Sequence, residues 1–155
     1  MSRPEIETTL RGSEFFKNFG NEEIQKLAAL CRLVQFEQGD LVFQQGDYGD
    51  HLYIIAEGQI FLERSVDLGG RKGNVVIEAL GKGRVFGSWS SLLGDPHYLM
   101  STATCQKSSK IICMEGSELR KEMIFNKEIG FQILERLSFL LRDRIQAAYG
   151  ALEKF

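Results

Sequence analysis

The spacing of hydrophobic positions changes twice along the chain and divides it into three parts. In the first part, Asn21 followed by Glu22 and Glu23 predicts a helix start, because an N-cap side chain and early carboxylates favour the positive end of a helix dipole. The apolar positions that follow at helical spacing are Ile24, Leu27, Ala28 and Cys31. We therefore expect a short helix that packs one face against a larger body.

The middle part predicts strands, since from Leu33 onward short runs of β-branched and aromatic residues alternate with glycine-containing turns. The predicted strands are 33–37, 41–44, 51–56, 59–63, 74–79, 100–106 and 110–114. Eleven of the 16 glycines lie between Gly39 and Gly94, where tight turns require backbone conformations that glycine adopts readily. This pattern favours an antiparallel sandwich or barrel and argues against a helical bundle or a doubly wound sheet.

Helix-forming residues return after Met114. They predict a short helix over 117–124 and a longer one from near Asn126 towards Leu152. The apolar positions of the longer helix are three or four residues apart: Leu134, Leu137, Leu141, Ile145, Ala148 and Leu152. Coiled coils use this stepping, so the stripe predicts a homodimer seam, while packing of the same stripe against the strands is the alternative.

The composition narrows the functional classes. Nineteen basic and 21 acidic residues give a net charge of −2, which argues against direct binding of nucleic acid. Cys31, Cys105 and Cys113 lack CxxC spacing and favour reduced thiols in a cytoplasmic protein over disulfides or a zinc site. No uncharged apolar run reaches the roughly 18 residues of a membrane span, so we expect no membrane contact. The 155 residues fit a single domain.

Motifs of specific spacing run through most of the chain. They are Phe15-Phe16, Glu22-Glu23-Ile24-Gln25-Lys26-Leu27-Ala28, Phe36-x-x-Gly39-Asp40, Phe43-Gln44-Gln45-Gly46-Asp47-x-Gly49-Asp50, Leu52-Tyr53-Ile54-Ile55-x-x-Gly58 and Arg84-Val85-Phe86-Gly87. Together they resemble the cyclic-nucleotide-binding domain of the bacterial, catabolite-activator-like type. The resemblance implies a mainly β fold, an antiparallel β-roll of jelly-roll type with an N-terminal helix and a long C-terminal helix.

This resemblance divides the single domain into an N-terminal helical segment (1–32), a β-roll (33–115) and C-terminal helices (116–155), and we expect no DNA-binding domain. It also implies that the long helix packs against a second subunit. Output would then pass through a partner protein.

The nucleotide-holding residues of the family are replaced here. The family's phosphate-binding cassette carries a Glu directly after the Phe-Gly pair and an Arg about ten residues further on. Ser88 occupies the Glu position and His97 or Tyr98 the Arg position, and no Arg or Lys occurs between Arg84 and Lys107. A lost bidentate Arg–phosphate contact costs roughly two orders of magnitude in affinity. We therefore expect weak or altered cyclic nucleotide binding, helped by N–H groups at a helix start after Gly87 and by serine hydroxyls.

The candidate ligand-binding residues surround this cassette: Arg84, Phe86, Gly87, Ser88, Trp89, Ser90, Ser91, His97 and Tyr98. Trp89 is interpreted either as a pocket wall that stacks on a planar ligand or as a core anchor. His97 is either a cation in mildly acid solution or an exposed loop residue. Arg84 either supplies the missing charge or is a solvated strand end.

The leading functional hypothesis is a non-catalytic module that senses a cyclic nucleotide or another small anion, without a further cofactor. Its main rival is a degenerate domain that serves as a dimerisation or docking scaffold, with Trp89, Tyr98 and Met100 filling the pocket. A haem sensor lacks a spacing that selects axial ligands. A cupin-type metalloenzyme needs clustered histidines, whereas His51 and His97 lie 46 residues apart. No nucleophile and base are paired, so we expect no enzyme.

Overall fold

Eight strands form two four-stranded antiparallel sheets in the computed structural model, which describes residues 2–153. The strands are β1 (Cys31–Phe36), β2 (Leu41–Phe43), β3 (His51–Glu57), β4 (Ile60–Asp67), β5 (Lys72–Leu80), β6 (Val85–Gly87), β7 (Thr102–Cys105) and β8 (Ser109–Glu115). One sheet has the order β1-β8-β3-β6 and the other β2-β7-β4-β5. The predicted antiparallel β-roll with flanking helices is confirmed. Met1 and the last two positions of the predicted C-terminal segment lie outside the described residues.

Within residues 2–153, four α-helices flank the roll: α1 (Ser2–Arg11), α2 (Asn21–Ala28), α3 (Gly116–Phe125) and α4 (Lys127–Glu153). The ends of α3 and α4 agree with prediction, whereas α1 was not predicted as a separate helix. The predicted N-cap of α2 is wrong, because Gly20 takes the N-cap position and the Asn21 amide oxygen accepts a hydrogen bond from Arg11 Nη2 at 3.2 Å. Cys31 does not extend α2; it is the first residue of β1.

The central strands β3 and β8 are buried on both faces, because alternate residues serve two different cores. Leu52 and Ile54 face the helices in one cluster, and Ile55 faces the second sheet in the other. The same alternation places Ile112 of β8 with the helices and Ile111 between the sheets. The near-continuous apolar runs of both strands follow from this double burial.

Helix α4 has two chemically different faces. Its buried face holds Ile133, Leu137, Leu140 and Arg144. The predicted seam therefore mixes the two faces, since Leu137 is 3% exposed inside its own chain whereas Leu134 is 39% exposed. The exposed apolar residues of α4 are Phe131, Leu134, Phe139, Ile145, Tyr149 and Leu152. None of the described helices is long and apolar enough to cross a membrane.

Candidate functional site

Strand β6 and the turn behind it form the cassette region. The strand ends at Gly87, Ser88 follows it, and a five-residue 3₁₀-helix runs over Trp89–Leu93. Gly87 has φ +121°, and a Cβ there would lie 2.6 Å from the His51 carbonyl oxygen, so glycine is required for both conformation and space. The expected helix start after Gly87 is thus a five-residue 3₁₀-helix of fewer than two turns, too short to present an aligned helix dipole.

Two cassette serines use their hydroxyls inside the protein. Ser88 Oγ donates to the Gly49 carbonyl oxygen at 2.9 Å, and Ser91 Oγ donates to the Ser88 carbonyl oxygen at 2.6 Å. Both residues are buried. These serines therefore close the turn onto the β3 side of the roll, and their hydroxyl protons are engaged before any ligand arrives.

A cavity of about 380 Å³ lies between the cassette, the second sheet and α4. Six of the predicted site residues line it: Gly87, Ser88, Trp89, Ser90, His97 and Tyr98. The other three are elsewhere, because Phe86 is fully buried between the sheets, Ser91 lies beneath the turn, and Arg84 is paired outside the cavity. The cavity is open, and Tyr98 and Met100 are 61% and 72% exposed at its edge.

Trp89 combines the two roles considered for it. Its ring lies 6.2 Å from that of Phe15, which belongs to the core cluster beneath the helices. The Arg144 guanidinium lies over the same indole, with Cζ 5.6 Å from the centroid. Trp89 therefore anchors the cassette to the core and also forms part of the cavity wall.

An alternating chain of two carboxylates and two guanidiniums runs behind the cavity. Arg84 contacts Glu14 at 3.2 Å and Glu78 at 2.8 Å, and Glu78 also forms an ion pair with Arg144. Arg144 Nη2 donates to the Val85 carbonyl oxygen at 2.7 Å, which fixes α4 against the strand that leads into the cassette. Because two acids face two bases, the chain of charges is balanced.

Burial affects the two guanidiniums of this chain differently. It lowers the pKa of Arg144 below its ordinary value, and the nearby Glu78 and Glu14 offset only part of that effect. Burial also acts against the charge of Arg84, but hydrogen bonds and charge interactions with Glu78 and Glu14 outweigh it and raise the pKa of Arg84. Arg144 is therefore the more strongly desolvated of the pair.

The family model described as "Cyclic nucleotide-binding domain" matches residues 33–124, the roll together with most of α3. The chain belongs to the cyclic nucleotide-binding domain family. It is 32% identical over 127 residues to a Mycobacterium tuberculosis protein named as a CRP-like cAMP-activated global transcriptional regulator, a match that covers 80% of this chain and 54% of that protein.

Solved structures of the same family share the fold. The catabolite activator protein of Thermus thermophilus superposes with a TM-score of 0.69 at 25% identity, over 91% of this chain and 62% of that one. A cyclic nucleotide-binding domain from Methylobacillus flagellatus gives a TM-score of 0.77 at 23% identity, over 99% and 84% of the two chains. The domain spans about half the length of the M. tuberculosis relative.

Three charged residues of this cyclic nucleotide-binding domain were missed by the sequence reasoning: Arg64, Glu78 and Arg144. Glu78 faces inward because the β4–β5 register skips Ile77, a β-bulge that re-aims the following side chain. Arg144 had a sequence signal, since it lies on the apolar stripe of α4 after Ile133, Leu137 and Leu140. Arg64 follows two residues after the buried Leu62 on β4, and both line the cavity.

The described histidine and cysteine residues do not form a metal site or a reactive thiol. Among residues 2–153, no group of three or more His, Cys, Asp or Glu side chains lies close enough to hold a metal ion. His51 Nδ1 lies 2.6 Å from Asp50 Oδ1, and the ring stacks on Tyr53. Burial raises the pKa of Cys113 to about 11 and that of Cys31 to about 12, so these thiols stay protonated at neutral pH.

Proposed function

We propose that the chain is a non-catalytic regulatory domain that senses a small anionic ligand and binds cyclic nucleotides weakly. The observation that carries the proposal is the position of the cavity, which is lined both by the cassette (Ser88, Trp89, Ser90) and by α4 (Leu141, Ile145). A ligand in this cavity would contact both elements, so its binding free energy favours one arrangement of α4 relative to the roll.

Cyclic nucleotides remain the first ligands to test, because family membership and the name of the M. tuberculosis relative point to them. The weak affinity follows from the cassette itself. Ser88 replaces the family's Glu, and His97 and Tyr98 stand where the Arg is expected. The hydroxyl protons of Ser88 and Ser91 are already donated to backbone carbonyls, which leaves Ser90 as the hydroxyl donor of the turn.

An open cavity favours ligand sensing over a purely structural scaffold. The scaffold hypothesis predicts that Trp89, Tyr98 and Met100 fill the site, whereas the last two are exposed and the cavity has about 380 Å³. That volume falls within the range of about 300–1,000 Å³ that is usual for small-molecule sites.

A thermal-shift screen tests the proposal. Purified protein is heated with cAMP, cGMP, cyclic dinucleotides and small organic anions, each at millimolar concentration. We expect stabilisation by at least one of them, since a ligand that binds only the folded state raises the midpoint by mass action. The same experiment on a Trp89→Leu variant, which removes part of the cavity wall, should give a smaller shift. No stabilisation by any compound would refute the sensing role.

We further propose that the exposed face of α4 forms a homodimer, which would carry the signal to a partner protein. Phe131, Leu134, Ile145 and Leu152 lie along this face, and the half-buried Leu141 lies at its border. Together they step by three, four or seven residues, which suits a coiled-coil seam. Three of them, Phe131, Ile145 and Leu152, are 66%, 53% and 46% exposed, and clustered exposed apolar residues of this kind favour a protein–protein contact.

Light scattering after gel filtration tests the dimer. Leu134→Glu should shift the protein from dimer to monomer, because it places a charge in the seam. Phe139→Glu is the matched control, since Phe139 is also an exposed apolar residue of α4 but lies beside Arg142 and off the seam. A wild-type monomer at tens of micromolar, or equal effects of the two variants, would contradict the proposal.

A further inference from the structure

The cavity wall is largely hydrocarbon. From the roll it receives Phe43, Leu62, Ile77 and Leu99, and from α4 it receives Leu141 and Ile145. Such a wall stabilises an apolar ligand body in proportion to the area that it removes from water. It offers few partners for the ribose hydroxyls and ring nitrogens of a nucleotide, whose burial without hydrogen bonds is costly.

Two guanidiniums stand in the wall of the cavity. They belong to Arg64 and Arg144, and no carboxylate side chain among residues 2–153 lines the cavity. Arg144 forms an ion pair with Glu78 on the side away from the cavity and donates a hydrogen bond to the Val85 carbonyl oxygen. Arg64 donates from Nη1 to the Met100 carbonyl oxygen and forms no ion pair with any residue from 2 to 153. Arg64 is therefore the cation whose charge is left for a ligand.

The two residues of β4 that line the cavity differ in depth. Leu62 is buried, whereas Arg64, two positions further along the same strand, is exposed. A ligand with an apolar body and one acid group fits this gradient, because its body leaves water beside Leu62 while its charge stays hydrated at Arg64. An anion at the buried Arg144 would instead compete with Glu78 and lose its hydration.

We propose that the cavity binds a small apolar carboxylate. Its carboxylate group contacts Arg64 at the rim, and its apolar body packs against Leu62 and Ile77. This inference rests on the proposed ligand-sensing function and names the ligand class for it. Arg64 thereby supplies, from β4, the anion contact that the cassette lacks.

Isothermal titration with matched ligand pairs tests the proposal on the whole protein. The probes are 1-naphthoate and octanoate, each compared with its neutral amide, together with cAMP and cGMP. We expect one or both carboxylates to bind at least tenfold more tightly than their amides and than either nucleotide. Arg64→Gln should weaken carboxylate binding about ten- to a hundredfold, as the loss of a charge-assisted contact does, and should leave amide binding unchanged.

Two control variants separate this contact from general charge effects. Arg32→Gln removes an exposed strand arginine on β1 of the other sheet and should leave every affinity unchanged. His97→Gln removes the imidazole of the cavity edge and should change carboxylate affinity less than threefold.

Each remaining outcome overturns the inference. Tighter binding of a nucleotide than of both carboxylates would refute the ligand class while ligand sensing stands. So would a carboxylate affinity that is unchanged by Arg64→Gln, or one that falls more than threefold in His97→Gln. If none of the carboxylates and nucleotides binds but the wider anion screen succeeds, the inference fails alone. If that screen fails as well, both proposals fall together.

Discussion

Two arginines meet at one cavity under opposite conditions. Arg144 is 9% exposed, pairs with Glu78 and donates to the Val85 carbonyl oxygen. Arg64 is exposed, and its guanidinium donates to the Met100 carbonyl oxygen and pairs with no acid among residues 2–153. A guanidinium near a pocket is therefore not by itself an anion site. Only a charge that the protein has left uncompensated gains free energy from a ligand, whereas a compensated charge holds elements together.

The largest effect should come from Glu78→Gln. The variant leaves Arg144 charged, buried and without its acid, while Arg84 keeps Glu14. Breaking a buried pair in this way costs about 3 kcal/mol, at the lower end of the usual range because Arg144 retains the Val85 carbonyl. Urea denaturation measures the free energy of unfolding. Glu118→Gln is the control, since its pair with Lys121 is solvent-exposed and should contribute less than about 1 kcal/mol.

The buried Cys113 thiol, unlike Arg144, has no ion-pair partner among residues 2–153, and the dependence of unfolding free energy on alkaline pH tests the effect of its burial. Burial raises the pKa of Cys113 to about 11, and the nearby Arg32 offsets only part of that effect. Because the folded pKa lies above the ordinary 9.0, the stabilisation is complete below pH 9 and is lost as pH rises from 9 through 11. We expect the free energy of unfolding to fall by about 2 kcal/mol over this window through Cys113.

Cys113→Ala separates this contribution from others. The variant is less stable at pH 7, since it leaves a small cavity, but its stability should decline less steeply between pH 9 and 11. An unchanged slope would show that Cys113 is not the titrating group. Cys31, whose pKa burial raises from the same ordinary value to about 12, would then be the next group to replace.

The double variant Glu78→Leu with Arg144→Met tests whether the buried chain of charges is needed for stability at all. Replacing a buried pair by apolar residues of similar volume is often neutral, although the Val85 carbonyl loses its donor here. We expect the double variant to unfold within about 1 kcal/mol of the wild type. A loss equal to the sum of the two single variants would instead show that the pair does not act as a unit.

The sequence predicted the roll and the last two helices because local patterns determine them. The glycine spacing from Gly39 to Gly58 and the apolar runs of β3 and β8 each reflect a nearby turn or a doubly buried strand. Helix α1 was not predicted, because its buried face contains only two apolar residues, Ile6 and Leu10, which are too few to form a periodic stripe. Strand β6 was not predicted, because only Val85 and Phe86 precede the glycine that ends it and they show no alternation.

The candidate site was predictable only in part. Six of the nine predicted ligand-binding residues line the cavity, since the cassette is contiguous in sequence. The charges around it depend on long-range geometry. Glu78 and Arg144 meet only because a bulge turns β5 inward and α4 packs across it. Arg64 forms no ion pair with any residue from 2 to 153, and this depends on which strands and loops surround it in the fold. No local sequence pattern reveals that.

Arg64→Gln should have the smallest effect on folding. The side chain is exposed, and the variant loses one hydrogen bond to the Met100 carbonyl, which water can replace. We expect the free energy of unfolding to stay within about 0.5 kcal/mol of the wild type. Chemical denaturation in ligand-free buffer measures it, with Glu78→Gln prepared in parallel. A loss as large as that of Glu78→Gln would mean that Arg64 is a structural residue like Arg144, and the contrast between the two arginines would disappear.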